Sequence, residues 1–104
     1  MSEAKFTAVA RSAEIVPDSV KVVEAGGRSI LLCNHQDRLF AVENLCSHAQ
    51  QPLECGRVKR GWISCPAHGS RFDLASGEAL NPPATSPIAV FAVRIRGDMV
   101  EVAL

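Results

Sequence analysis

Neither sign of charge is in excess in this sequence: Lys plus Arg and Asp plus Glu number 11 each among 104 residues. Nucleic-acid binders ordinarily carry a basic surplus, so no nucleic-acid partner is expected. Long apolar runs are missing too. The longest wholly apolar stretch is Ile88–Val93, far short of the ~20 residues that cross a bilayer as a helix, and no membrane partner is expected. Met1–Lys5 shows neither an apolar leader region nor paired arginines. There is no glycine fingerprint for a dinucleotide, no internal repeat, no low-complexity tract and no linker. These absences point to one small cytoplasmic domain over residues 1–104. In the cytoplasm thiols stay reduced, so the four cysteines suggest metal chemistry before disulfides.

The patterning that is present is that of a β protein. Phe6–Ala10 reads as a first strand, and Ser12 with Glu14 as a single helical turn ended by Pro17. Ser19–Ala25 alternates, Gly26-Gly27 follows, and Ser29–Asn34 comes next; paired glycines tolerate the positive φ of a tight hairpin. His35–Arg38 reads as a four-residue polar link to a strand over Leu39–Glu43. Ala89, Phe91, Val93 and Ile95 recur at period two up to Arg96-Gly97-Asp98, where Gly97 suits the first position of a type II′ turn into Met99–Leu104.

The segment from about 44 to 86 differs. It holds three of the four cysteines, two of the three histidines, four of the seven glycines and four of the six prolines. Such punctuation reads as functional loops between short strands. Within it stand Cys46-Ser47-His48 and Cys65-Pro66-Ala67-His68, with sixteen residues between His48 and Cys65. Two thiolates and two imidazoles suit either a tetrahedral zinc ion or a two-iron cluster with cysteines on one iron and histidines on the other. Zinc sites usually gather two cysteines on one loop and two histidines on another element. Here each loop mixes the types, as a two-iron cluster requires if each loop must reach both metals.

C-x-H followed by C-x-x-H in a β protein resembles the Rieske [2Fe–2S] motif. The resemblance continues through Gly69-Ser70 and the strand-like Arg71-Phe72-Asp73. It takes in the turn Leu74-Ala75-Ser76-Gly77 and Asn81-Pro82-Pro83-Ala84, which is similar to the proline loop that covers the cluster in this family. It is strong over roughly residues 40–96. It implies an all-β Rieske iron–sulfur domain: an antiparallel β-sandwich with a loop-rich cluster-binding subdomain. One [2Fe–2S] cluster would be held by Cys46, His48, Cys65 and His68.

The departures from the respiratory members are informative. Those carry an extra cysteine in each cluster loop, joined as a disulfide; the equivalent positions here are Gln51 and Ala67. The tyrosine that donates to a ligand sulfur in that high-potential class is matched by Phe72. Ser70 stands where a serine hydroxyl reaches a bridging sulfide. A lost hydrogen bond to sulfur lowers the potential, so a value in the lower part of the Rieske range is expected.

The remaining candidates have plainer readings. Cys33, in an apolar run, reads as a small core residue; Cys55 as a loop or strand thiol; His35 as a surface residue at a turn. Trp62 and Ile63 are expected to pack beneath the cluster loops. Arg57, Lys59, Arg60 and Arg71 form a local basic excess against Glu54 and Asp73, which is either solvated surface or a docking face for a redox partner.

Only His35 remains outside the motif, too few histidines for a mononuclear iron site, so the chain reads as a one-electron carrier and not as an enzyme. It is similar to the Rieske-type ferredoxins of bacterial aromatic-ring-hydroxylating dioxygenase systems. That resemblance implies two partners, an NAD(P)H-dependent flavoprotein ferredoxin reductase and a Rieske non-haem iron terminal oxygenase. Two other readings stand beside it: a small Rieske subunit of a larger reductase such as nitrite reductase, and a zinc-stabilised binding module.

Overall fold

A computed structural model describes residues 5–36, 38–47, 51–67 and 69–104. These form ten strands: β1 (Phe6–Arg11), β2 (Ser19–Ala25), β3 (Arg28–His35), β4 (Arg38–Glu43), β5 (Val58–Lys59), β6 (Trp62–Ser64), β7 (Arg71–Asp73), β8 (Val90–Phe91), β9 (Val93–Arg96) and β10 (Met99–Ala103). All described pairings are antiparallel, in three sheets ordered β1-β10-β9, β2-β3-β4-β8 and β5-β6-β7. The all-β class follows.

The β2–β3–β4 sheet is central because its strands are apolar on both faces. In β3, Ile30 and Leu32 join one apolar cluster with Ala10, Val23, Val100 and Val102. The alternate residues Leu31 and Cys33 join another with Val42, Ile63, Phe72 and Leu74. Side chains alternate across a strand, so the unbroken run Ile30-Leu31-Leu32-Cys33 buries one layer against the β1-β10-β9 sheet and the other against the β5-β6-β7 sheet. All four are wholly buried; a fully buried aliphatic side chain contributes about 1.5–3 kcal/mol.

The turns follow their sequence signals. Gly26 and Gly27 have φ of 58° and 75° between the paired Ala25 and Arg28, which is the type I′ pattern. Gly97 has φ of 64° between the paired Arg96 and Met99, as a type II′ turn requires. Ser12–Glu14 is a single 3₁₀ turn, closed where the Glu14 carboxylate accepts the Arg11 N–H at 2.7 Å.

Two expectations need correction. His35 and Arg38 pair directly, so the link between β3 and β4 is residues 36–37, not four residues; Gln36 takes a φ of 52° to make it. The period-two run Ala89–Ile95 is not one strand. It breaks at Ala92, so that β8 pairs with β4 and β9 with β10. Ala92 marks the switch by accepting the Ala103 N–H at 2.9 Å. A strand that changes sheets makes a sandwich corner, and Ile95 beyond it is 55% exposed despite its place in the apolar repeat.

Candidate metal centre

The β5-β6-β7 sheet and the segments around it carry the mixed cysteine–histidine pairs. Cys46 follows β4 by three residues and Cys65 directly follows β6. Both thiols are buried, at 0% and 2% exposure, in the cluster that includes Leu53, Ile63, Phe72 and Ala84. His48 and His68 lie outside the described residues.

The two cysteine loops close in the same way. The Cys46 N–H donates to the Gln51 carbonyl at 2.8 Å, and the Cys65 N–H donates to the Ser70 carbonyl at 2.7 Å. Each cysteine therefore anchors the base of a loop of the same length, and the histidine of its motif falls inside that loop. The second loop is the tip of the β6–β7 hairpin, since Ser64 and Arg71 pair across it. Gly69 enters the left-handed region there, with φ of 74°, and donates back to the Cys65 carbonyl at 3.0 Å.

A third segment, residues 81–86, fastens the two loops. The Ser47 hydroxyl donates to the Ser86 carbonyl at 2.6 Å. The buried Ser70 hydroxyl accepts the Ala84 N–H at 3.0 Å, which leaves its own proton to donate. Asn81 Oδ1 accepts the Arg71 N–H at 2.7 Å, while its amide donates to the Gly69 carbonyl at 3.3 Å and the Pro82 carbonyl at 3.1 Å. This segment is the one that resembles a proline loop.

Asn44 is a structural residue that motif reading misses. It is only 7% exposed; its Oδ1 accepts the Leu53 N–H at 2.8 Å, and its amide reaches Ser29 Oγ at 3.3 Å and Glu54 Oε1 at 3.4 Å. A buried amide that satisfies a loop N–H costs more to remove than it contributes as one bond. Here it pins the far side of the first loop to the end of β4. An Asn two residues before a motif cysteine, at a strand end, is the one sequence signal it offers.

The other candidates separate. No cysteine is in a disulfide. Cys33 is in the core, where desolvation pushes its thiol from the ordinary 9.0 up to about 12; Cys55 is exposed. Ile63 is wholly buried beneath the loops as expected, but its neighbour Trp62 alternates to the other face. There the Arg71 guanidinium lies 5.1 Å from its ring centroid. His35 is not a surface residue. Its side chain is 13% exposed, with Nδ1 3.7 Å from Asp18 Oδ1 and a buried Nε2 that has no hydrogen-bond partner among the described residues.

Two buried thiols, each at the neck of its own short loop and set over an apolar floor, suit a group that takes sulfur from both. A buried thiolate is costly unless a cation compensates it, and iron supplies that compensation. The donor chemistry fits a [2Fe–2S] cluster.

Comparison with known proteins agrees. The family model of the Rieske [2Fe-2S] domain matches residues 5–92. The ferredoxin component of biphenyl 2,3-dioxygenase from Rhodococcus jostii (strain RHA1) is 33% identical over 99 residues, covering 95% of this chain and 92% of that protein. The anthranilate 1,2-dioxygenase ferredoxin subunit from Burkholderia cepacia is 35% identical over 89 residues, covering 86% and 82%. Among solved structures, the ferredoxin of carbazole 1,9a-dioxygenase from Nocardioides aromaticivorans IC177 superposes with a TM-score of 0.90 at 27% identity, covering 96% of this chain and 98% of that one. A ferredoxin in complex with the oxygenase of carbazole 1,9a-dioxygenase superposes with a TM-score of 0.87, also at 27% identity, covering 94% and 92%.

Proposed function

This chain belongs to the Rieske [2Fe–2S] domain family, and on that premise we propose that it is the ferredoxin component of an aromatic-ring-hydroxylating dioxygenase system. It passes single electrons from an NAD(P)H-dependent flavoprotein reductase to a Rieske non-haem iron terminal oxygenase. It is an electron-transfer component, not a catalytic subunit. The observation that carries this reading is the pair of like-closed loops that start at the buried Cys46 and Cys65. Relatives that match over most of their length are ferredoxin components.

The cofactor is one [2Fe–2S] cluster, which when bound supplies a one-electron couple. Cys46 and Cys65 would hold one iron through sulfur, and His48 and His68 the other through ring nitrogen. The chain acts as a single domain over 1–104, with the segment from about 44 to 86 binding the cluster. Apolar side chains beneath the loops, Leu53, Ile63 and Phe72, keep water from the sulfur side. The Ser70 hydroxyl, whose oxygen accepts the Ala84 N–H, would have its own proton to offer the cluster. No helix among the described residues is long and apolar enough to cross a membrane, and a cytoplasmic location fits the reduced thiols this chemistry needs.

The test is reconstitution of the cluster-loaded protein with a flavoprotein reductase, NADH or NADPH, and the terminal oxygenases of biphenyl, naphthalene and anthranilate dioxygenase systems in turn. Electron-dependent hydroxylation with at least one of them is expected. No stimulation over reactions lacking this protein, with any of the three, would overturn the assignment.

A further inference from the structure

Three of the four basic residues around the motif share one surface feature, which Arg57 does not line. Lys59, Arg60 and Arg71 line one open groove of about 550 Å³ together with Trp62, Val58 and His35. No carboxylate lines it among the described residues. The chain as a whole is neutral, so this groove is a local concentration of positive charge and not part of a general surplus. Asp73 shares a sheet face with Trp62 and Arg71 through the β6–β7 pairing, but its Oδ2 accepts the Ser76 N–H at 2.8 Å.

The groove is held in shape. Arg60 and Gly61, with φ of 48° and 83°, make a tight turn between the paired Lys59 and Trp62, so Lys59 and Arg60 project from a short hairpin. Arg71 is fixed on two sides. Its guanidinium lies over the Trp62 ring at 5.1 Å and its Nε is 3.4 Å from Asn81 Oδ1. Arg71 also directly follows Ser70, the closing residue of the second cysteine loop. A planar, already-ordered guanidinium loses little freedom on taking a carboxylate.

We infer that this groove docks an acidic surface segment of the terminal oxygenase, with Lys59 and Arg60 steering the encounter and Arg71 pairing with a carboxylate beside the second cysteine loop. Exposed complementary charge acts chiefly on the association rate and is screened by salt. A groove that adjoins one cluster loop without covering it can orient the acceptor and leave the loop tip free. This inference rests on the carrier reading and adds to it the surface that the acceptor recognises.

The experiment is stopped-flow oxidation of the reduced, cluster-loaded protein by whichever oxygenase of the panel accepts its electrons. The wild type is compared with Lys59→Glu/Arg60→Asp, where Asp suits the left-handed turn position. A control variant, Lys5→Glu/Arg96→Glu, changes the net charge equally outside the groove. The groove variant should lower the second-order rate constant about tenfold at low ionic strength, and the deficit should shrink as salt is raised. The control should change it less than twofold, and midpoint potential and EPR spectrum should be unaltered in both. The inference is overturned if the two variants slow oxidation equally, if the deficit persists at high salt, or if only reduction by the flavoprotein is slowed. If the wild type itself transfers no electron to any oxygenase of the panel, the carrier reading fails first and takes this inference with it.

Discussion

The Ser47 hydroxyl donates a 2.6 Å hydrogen bond to the Ser86 carbonyl, joining positions 39 residues apart in the chain. One side chain inside the first cysteine motif thus ties that loop to the segment that also holds the second loop. A single hydrogen bond of this kind contributes about 0.5–1.5 kcal/mol. Ser47→Ala is expected to lower unfolding free energy by that amount in urea titration and to speed cluster loss on dilution into chelator. Ser47→Thr, which keeps the hydroxyl, should restore both.

The Asn81 side chain fastens its own segment to the second loop and the start of β7, accepting the Arg71 N–H and donating to the Gly69 and Pro82 carbonyls. Asn81→Ala should cost about 1–3 kcal/mol and broaden the EPR signal of the reduced protein as the loop gains conformers. Asn81→Asp keeps the acceptor for the Arg71 N–H but loses both donors, so it should fall between Ala and wild type.

Gly56 and Gly77 test the backbone frame around the loops. A Cβ on Gly56 would stand 1.8 Å from the Ser64 carbonyl oxygen, and one on Gly77 would stand 2.1 Å from that of Ile88. Backbone must move in both cases, so either Gly→Ala change should destabilise by about 1–3 kcal/mol. Gly97 has no described atom within 4 Å of its Cβ position. Gly97→Asn, which tolerates positive φ, should leave the denaturation midpoint close to wild type.

Phe72 is wholly buried in the same apolar cluster as Cys46 and Cys65 and has no hydroxyl to offer sulfur. The midpoint potential should therefore fall in the lower part of the Rieske range of roughly −150 to +300 mV. Phe72→Tyr should raise it by adding a donor that stabilises the reduced form. Protein-film voltammetry on both proteins decides the point: a wild-type value near the top of the range would contradict it.

Burial raises the Cys33 thiol to about 12, so the folded state holds that proton more tightly than the unfolded chain does. Its contribution to stability is fully present below the ordinary 9.0 and is lost as pH rises from there toward 12. Cys33→Ala should flatten the alkaline decline in unfolding free energy across that window. In the native protein near pH 8 the exposed Cys55 should take a thiol reagent within minutes, and Cys33 only on unfolding.

How much of this is legible in the sequence depends on whether the signal is local. The hairpins at Gly26-Gly27 and Gly97 are readable because positive φ is a property of the turn residues themselves. The burial of Ile30 to Cys33 on both faces is readable from an unbroken apolar run. The cysteine–histidine spacing and the family it resembles were likewise legible. Asn44, Ser47 and Asn81 were not legible as fasteners, since their partners lie 9, 39 and 12 residues away at Leu53, Ser86 and Gly69. Only the tertiary fold brings those groups together. Ala92 carries no turn chemistry, yet the chain changes sheets there because two different strands compete for one apolar run. His35 looks like a turn residue, yet its side chain is only 13% exposed and has Asp18 Oδ1 3.7 Å from Nδ1.

The central claim is a two-iron cluster held by mixed cysteine and histidine pairs. Pulsed EPR on the dithionite-reduced protein, with metal analysis of the same sample, tests it most directly. The account predicts two irons per chain, an average g below that of all-cysteine ferredoxins, and hyperfine coupling to two imidazole nitrogens that is altered in His48→Cys and His68→Cys. A colourless protein holding zinc, or an iron signal without nitrogen coupling, would contradict it.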